Sequence, residues 1–242
     1  MPHGGPDYGV GAPKATVYSL QDMAELAVRL GSIVSFDRRG DVVWLDDFES
    51  GIKKWEINAS DADSGVAISS DYCNRGANSA KVYASAGVDR WAAMAHYFAL
   101  PVKSKVGFEV AFTIYPPDVH LNFILYPYFD PTREYYEVRH DRTLKILQYY
   151  GSDGTRHTFA TGVNLYGRDY HFNQAKLVID LATKKYVRFL LNDVTYDLSA
   201  YAPPSWSYSG AAFVYAGIRM INQTANARTI YVDDAIVTQN EP

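Results

Sequence analysis

Cysteine is nearly missing: Cys73 is the only one in 242 residues. A single thiol forms no internal disulfide and no Cys-based zinc cluster. It lies between Tyr72 and Asn74, just before Gly76. With no second cysteine and no histidine near it in sequence, Cys73 reads as a packing or loop residue without redox work. Positive charge is also scarce. The 23 Lys and Arg against 27 Asp and Glu give a net charge of −4, which leaves no basic footprint for nucleic acid. No apolar run approaches the roughly 20 residues of a membrane-spanning helix. The N-terminal MPHGGPDYGVGAPKATVYS places Gly, Pro and Asp where a secretory leader needs a basic start and an apolar stretch, so synthesis and release in the cytoplasm are expected.

Catalytic signatures are wanting as well. His3, His96, His120, His140, His157 and His171 form neither an HxxxH nor an HExxH arrangement. There is no Gly-x-Ser-x-Gly elbow and no phosphate-binding glycine motif. Glu134 and Glu137 lie three apart in REYYEVRHD, a spacing that sends strand side chains to opposite faces, so they do not form a facing carboxylate pair. No catalytic residue is assigned, and the chain reads as non-enzymatic.

What is abundant is aromatic and β-branched. Nearly half the residues are apolar (48%), 14% are aromatic and 20 are tyrosine, enough for a sizeable core and for rings left over at the surface. Pro2, Pro6, Pro13 and four glycines make residues 1–18 an extended arm. A helix is expected over 19–31, with Ser19 as cap, Gly31 as stop and a stripe of Leu20, Met23, Ala24, Ala27 and Leu30. From Val42 onward the signals are strands: Lys105 to Tyr115, Tyr135 to His140, Ala175 to Leu181, Tyr186 to Leu191 and Thr229 to Thr238. Hairpin turns separate such runs at Gly151-Ser152-Asp153-Gly154, Ala182-Thr183-Lys184-Lys185 and Asn192-Asp193. Many short strands without a second helical pattern predict an all-β antiparallel sandwich or jelly roll over residues 42–238.

Acidic pairs stand at both ends of that span. VVWLDDFESGIKKWE (Val42 to Glu56) gathers Asp46, Asp47 and Glu49, and TIYVDDAIVT (Thr229 to Thr238) carries Asp233 and Asp234. With VAISSDYCNRGANSAKVYA (Val66 to Ala84) and AKLVIDLATKKYVRFLLNDVTYDLSA (Ala175 to Ala200), these stretches, in this order, resemble the β-jelly-roll proteins of the carbohydrate-binding-module and concanavalin-like (laminin-G-like) group. The resemblance implies the opening strand in LDDFESGIKKWE and the closing strand in TIYVDDAIVT. It also implies one structural calcium clamping the two, with ligands from Glu49 or Asp47, from Asp233 or Asp234, and from carbonyls around Arg75 to Asn78. Without the metal, the same acids are strand-end charges that discourage edge pairing. The Glu-x-Asp-x-x-Glu strand motif of glycosidases with this architecture is missing here.

Binding then rests on aromatics. Tyr126, Tyr128, Trp206 and Tyr208 are flanked by prolines and read as loop-borne rings suited to stacking on sugars, or equally to a protein interface. Two settings are expected. The first is a virus or phage particle, in which the chain is a capsid decoration or tail-associated subunit whose jelly-roll body may bind a cell-surface glycan. There Tyr8, Val17, Tyr18, Leu20, Met23, Ala27 and Leu30 would anchor it on neighbouring subunits. The alternative is an extracellular carbohydrate-binding module or lectin.

Overall fold

The computed structural model describes Asp37 and residues 39–99, 102–114, 118–168 and 171–242. The arm, the helix over 19–31 and the anchors Tyr8, Val17, Tyr18, Leu20, Met23, Ala27 and Leu30 lie outside the described residues. The strands run from Asp41 to Gln239, and no helix occurs among the described residues.

Two antiparallel sheets face each other. The eight-stranded sheet has the order β14 (Val194–Asp197), β13 (Lys185–Leu191), β12 (Asn173–Asp180), β6 (Lys105–Phe112), β17 (Arg228–Gln239), β4 (Ser79–Ala84), β3 (Gly65–Ser69), with β1 (Asp41–Asp46) also on β17. The nine-stranded sheet has the order β11 (Arg156–Thr161), β10 (Ile146–Tyr150), β9 (Tyr136–Asp141), β7 (Val119–Phe129), β16 (Phe213–Asn222), β5 (Trp91–Phe98), β2 (Glu56–Ala59). Its flank is extended by β8 (Thr132–Glu134), which pairs with β7, and by β15 (Ser205–Ser207), which pairs with β8. The three expected hairpin turns join β10 to β11, β12 to β13 and β13 to β14. In the second and third, Lys184 and Asn192 take positive φ (55° and 51°), the backbone that tight hairpins require.

Period-2 alternation builds the core. On β7, Leu121, Phe123 and Leu125 point between the sheets, while β16 contributes Val214, Ala216, Ile218 and Met220. From the opposite sheet, Phe108 and Phe112 of β6 and Phe189 of β13 meet them, with Phe123 5.3 Å from both Phe112 and Phe189. The intervening residues, among them Asn122, Ile124, Tyr126, Tyr215 and Arg219, are thereby committed to the outer face of the nine-stranded sheet. That face holds the site.

Candidate functional site

Register arranges the outer face into rows that cross the strands. One row is aromatic, with Tyr97 opposite Tyr215 and Tyr215 opposite Tyr126. The next is low: Glu56, Ala95, Gly217, Ile124 and Glu137 stand opposite one another in turn. A Cβ on Gly217 would come within 2.8 Å of the Ala95 Cβ, so glycine keeps the middle of this row flat. The third row is polar, running from Asn58 through Ala93, Arg219 and Asn122 to Arg139. A low row between an aromatic and a polar one makes a groove of about 300 Å³, lined by Tyr97, Tyr126, Tyr128, Tyr135 and Tyr215 with Trp91, Ala93 and Ile124. Glu56, Asn58 and Arg219 supply its polar groups. Five inter-strand positions span roughly 19 Å at ~4.8 Å per strand, the length of a short oligomer. Apolar rings with a few convergent polar groups are the usual build of a ligand site.

The four aromatics chosen from sequence converge here, though not on loops. Tyr126 and Tyr128 belong to β7 and Trp206 to β15, with Tyr208 just beyond it, because Pro127 sits inside a strand next to the short β8–β15 flank. Tyr126 and Tyr128 have ring centroids 4.4 Å apart; Trp206 lies 6.5 Å from Tyr126, and Tyr208 lies 5.1 Å from Tyr128. Tyr126 and Tyr128 line the groove, while Trp206 and Tyr208 pack behind them and Arg133 lies over both ring faces. Tyr97, Tyr215 and Arg219 are missing from the sequence reading. The signal for Tyr215 and Arg219 was present in FVYAGIRMIN, where Phe213, Tyr215 and Arg219 alternate with four core residues.

Under the groove lies Glu137, wholly buried. One carboxylate oxygen accepts from Arg156 Nε and a terminal nitrogen at 2.8 and 2.7 Å. The other accepts from Asn122 Nδ2 at 2.7 Å, the Tyr135 hydroxyl at 2.8 Å and Arg219 at 2.8 Å. Burial pushes its pKa up, but the attraction of Arg156 and Arg219 outweighs burial and holds it below the usual carboxylate range. The phenols move the other way: burial and the bond to Glu56 push Tyr97 up to about 12, and burial raises Tyr128, Tyr135 and Tyr215. Both carboxylate oxygens of Glu137 are thus spent on the protein's own donors. Glu134, the other member of the sequence pair, turns to Thr132, Ser205 and Lys184 instead.

The acids of the first and last strands gather elsewhere. β17 pairs with β4 up to Val232 and with β1 from Ala235, and a bulge on its β6 side spans the change of partner. Asp233 and Asp234 stand in that gap, Asp234 at φ 48°. Asp233 accepts the backbone N–H of Asn74 at 2.8 Å, of Arg75 at 3.2 Å and of Asp234 at 2.8 Å. Glu49 accepts those of Ala77 and Asn78 at 2.7 and 2.8 Å, while Asp234 takes the Asn74 amide at 2.6 Å and stands 3.6 Å from Arg75 Nε. Gly76 has φ 64°, and a Cβ there would run into the Glu49 carboxylate. The loop between β3 and β4 thus offers amide N–H groups where the resemblance implied carbonyl ligands. Among the described residues, no three His, Cys, Asp or Glu side chains gather as a metal site. Burial lifts Asp233 to about 6 and raises Asp234. Asp46 is the inward acid of the opening stretch, accepting the Trp55 indole N–H at 2.7 Å and Lys54 at 2.9 Å. Cys73 is a half-buried free thiol whose pKa burial pushes up.

No protein-family model matches the chain, and no curated protein matches it in sequence. Solved structures do match in fold. The carbohydrate recognition domain of Emp47p aligns at a TM-score of 0.54 and 12% identity, over 85% of this chain and 99% of that one. Alginate lyase vAL-1 from Chlorella virus aligns at 0.56 and 9% identity over 82% and 100%. A Bacillus subtilis protein of unknown function with a galectin-like fold aligns at 0.50 and 15% identity over 84% and 97%. The chain therefore has the jelly-roll β-sandwich fold of carbohydrate-recognition and galectin-like domains; its closing strand is where the resemblance implied, whereas the stretch expected as the opening strand, Leu45 to Glu56, is mostly turns between β1 and β2.

Proposed function

We propose that the protein is a non-catalytic glycan-binding protein whose site is the groove on the outer face of the nine-stranded sheet. The observation that supports this best is the row Tyr97–Tyr215–Tyr126 beside a flat floor of Ala95 and Gly217, with Asn58, Glu56 and Arg219 in reach for hydrogen bonds. Aromatic bodies with polar tips cover the apolar face of a sugar while the polar rim takes its hydroxyls. The carbohydrate recognition domain among the matched folds supports the same reading at the level of architecture. The saturation of Glu137 supports binding without chemistry. A glycan array probed with the full chain tests it: a family of related oligosaccharides should bind, and an array without hits would end the reading.

The finer assignment is a subunit of a virus or phage particle, a capsid decoration or tail-associated component, with an extracellular carbohydrate-binding module or lectin as the alternative. Support for the particle comes from the stretch 1–31, whose Tyr8, Val17, Tyr18, Leu20, Met23, Ala27 and Leu30 would anchor on another subunit. Deleting 1–35 should then abolish incorporation into particles while glycan binding persists. Incorporation at wild-type occupancy would favour the lectin alternative.

A further inference from the structure

We infer that the ligand of this groove is an acidic glycan, its ring on the tyrosine row and its oxyanion, a carboxylate or sulfate, held by Arg139 and Arg219. The inference rests on the groove being a glycan site and names the class of sugar. Charge and unused donors carry it. Arg139, Arg156 and Arg219 surround one wholly buried carboxylate, Glu137, which bonds directly to only two of them; the buried Asp141 adds its pull on Arg139 without a direct bond. Arg139 spends Nε on Asn122 Oδ1 at 3.0 Å, and among the described residues no protein group bonds either of its terminal nitrogens, which remain open to solvent. Arg219 uses one terminal nitrogen on Glu137 and the Tyr135 hydroxyl, and its Nε is buried without a partner. Its second terminal nitrogen is unspent on the groove wall.

These two guanidiniums flank Asn122 in one row, one step from Ile124 on the groove floor. The acids facing them do not fill the role. Asp141 accepts the Leu144 N–H at 2.9 Å and lies 3.6 Å from His120, and Glu56 is at the far edge beside Tyr97. Burial is the main cause that lowers the Arg139 pKa; Glu137 pulls it back up, while Arg156 and Arg219 crowd it with like charge and Asp141 opposes them. A carboxylate or sulfate relieves such crowding, and the planar guanidinium fork matches two oxygens of either.

The test uses the full chain in calorimetric titrations with a short uronic-acid oligosaccharide, the same oligosaccharide carboxyl-reduced to its neutral form, and an O-sulfated neutral oligosaccharide. The uronate should bind at least about tenfold tighter than its reduced counterpart, with a preference that falls as salt rises. Arg139→Gln should erase the preference, bringing the uronate down to the affinity of the reduced sugar measured on the same variant; Arg139→Lys, a charge without the fork, should restore part of it. Sulfated sugar bound as tightly as the uronate assigns the subsite to oxyanions in general, and the uronate bound alone assigns it to a planar carboxylate. Equal affinity for acidic and reduced forms, or a preference that survives in Arg139→Gln of unchanged melting temperature, overturns the inference while the glycan site stands. If none of the three sugars binds and no array glycan does, the glycan reading itself has failed.

Discussion

Tyr97 is 41% exposed, and its neighbours Ala93 and Ala95 are too small to hide it. Its ring meets Tyr215 at 5.2 Å and Phe213 at 5.5 Å, so it is placed by contact on one side and open on the other. Tyr97→Ala should therefore cost roughly tenfold or more in glycan affinity while changing stability by no more than about 0.5 kcal/mol, measured by titration and by urea unfolding. Glu137 is the opposite kind of residue. Removing it leaves Arg156 and Arg219 part-buried without their counter-charge, so Glu137→Ala should lose about 3–5 kcal/mol of folding stability, read from the urea midpoint at constant slope. The surroundings of only one of the two have a local signal in the sequence. Tyr97 and Tyr215 follow from alternation once β5 and β16 are placed, whereas the five donor contacts on Glu137 of β9 come from β7, β11 and β16 and from the Tyr135 that precedes β9. No local pattern brings those together.

The elements most legible in the sequence are those whose turns carry their own chemistry, as at Gly151–Gly154, Lys184 and Asn192. The tyrosines around Pro127 were harder: proline signals a loop locally, but on a strand beside a short edge its missing N–H is tolerated. Glu49, Asp233 and Asp234 all hold the 74–78 loop, but these partners are not legible in the sequence, since backbone amides leave no mark in it. At Asp233 the consequence is measurable. Its folded-state pKa of about 6 lies above the ordinary 3.8, so its contribution to stability is complete below 3.8 and is lost as pH rises through 6. Asparagine has no charge to gain. The melting temperature of the wild type minus that of Asp233→Asn should accordingly shrink between about pH 4.5 and about pH 7.5. A constant difference across that range would mean that Asp233 titrates as an ordinary exposed acid.

At the scale of the molecule, one sandwich has two unlike outer surfaces. On the eight-stranded sheet, Lys176 is buried against Glu109 and Glu241, and Arg188 also bonds Glu241, so charge there is matched by charge. On the nine-stranded sheet, rings are left half exposed and guanidinium nitrogens unspent. That asymmetry is what favours this face as the proposed binding surface. It follows from which residues alternate outward on β5, β7, β9 and β16, a matter of register that the sequence states only after the strand order is known. The most direct measurement is an amide NMR titration of the isotope-labelled protein with an oligosaccharide that binds on the array. Shifts should map to β2, β5, β7 and β16 around Tyr97, Tyr126, Tyr215 and Arg219, and leave the 74–78 loop unmoved. Shifts concentrated instead on that loop, or on the β12–β13 face of the other sheet, would contradict a site on the outer face of the nine-stranded sheet.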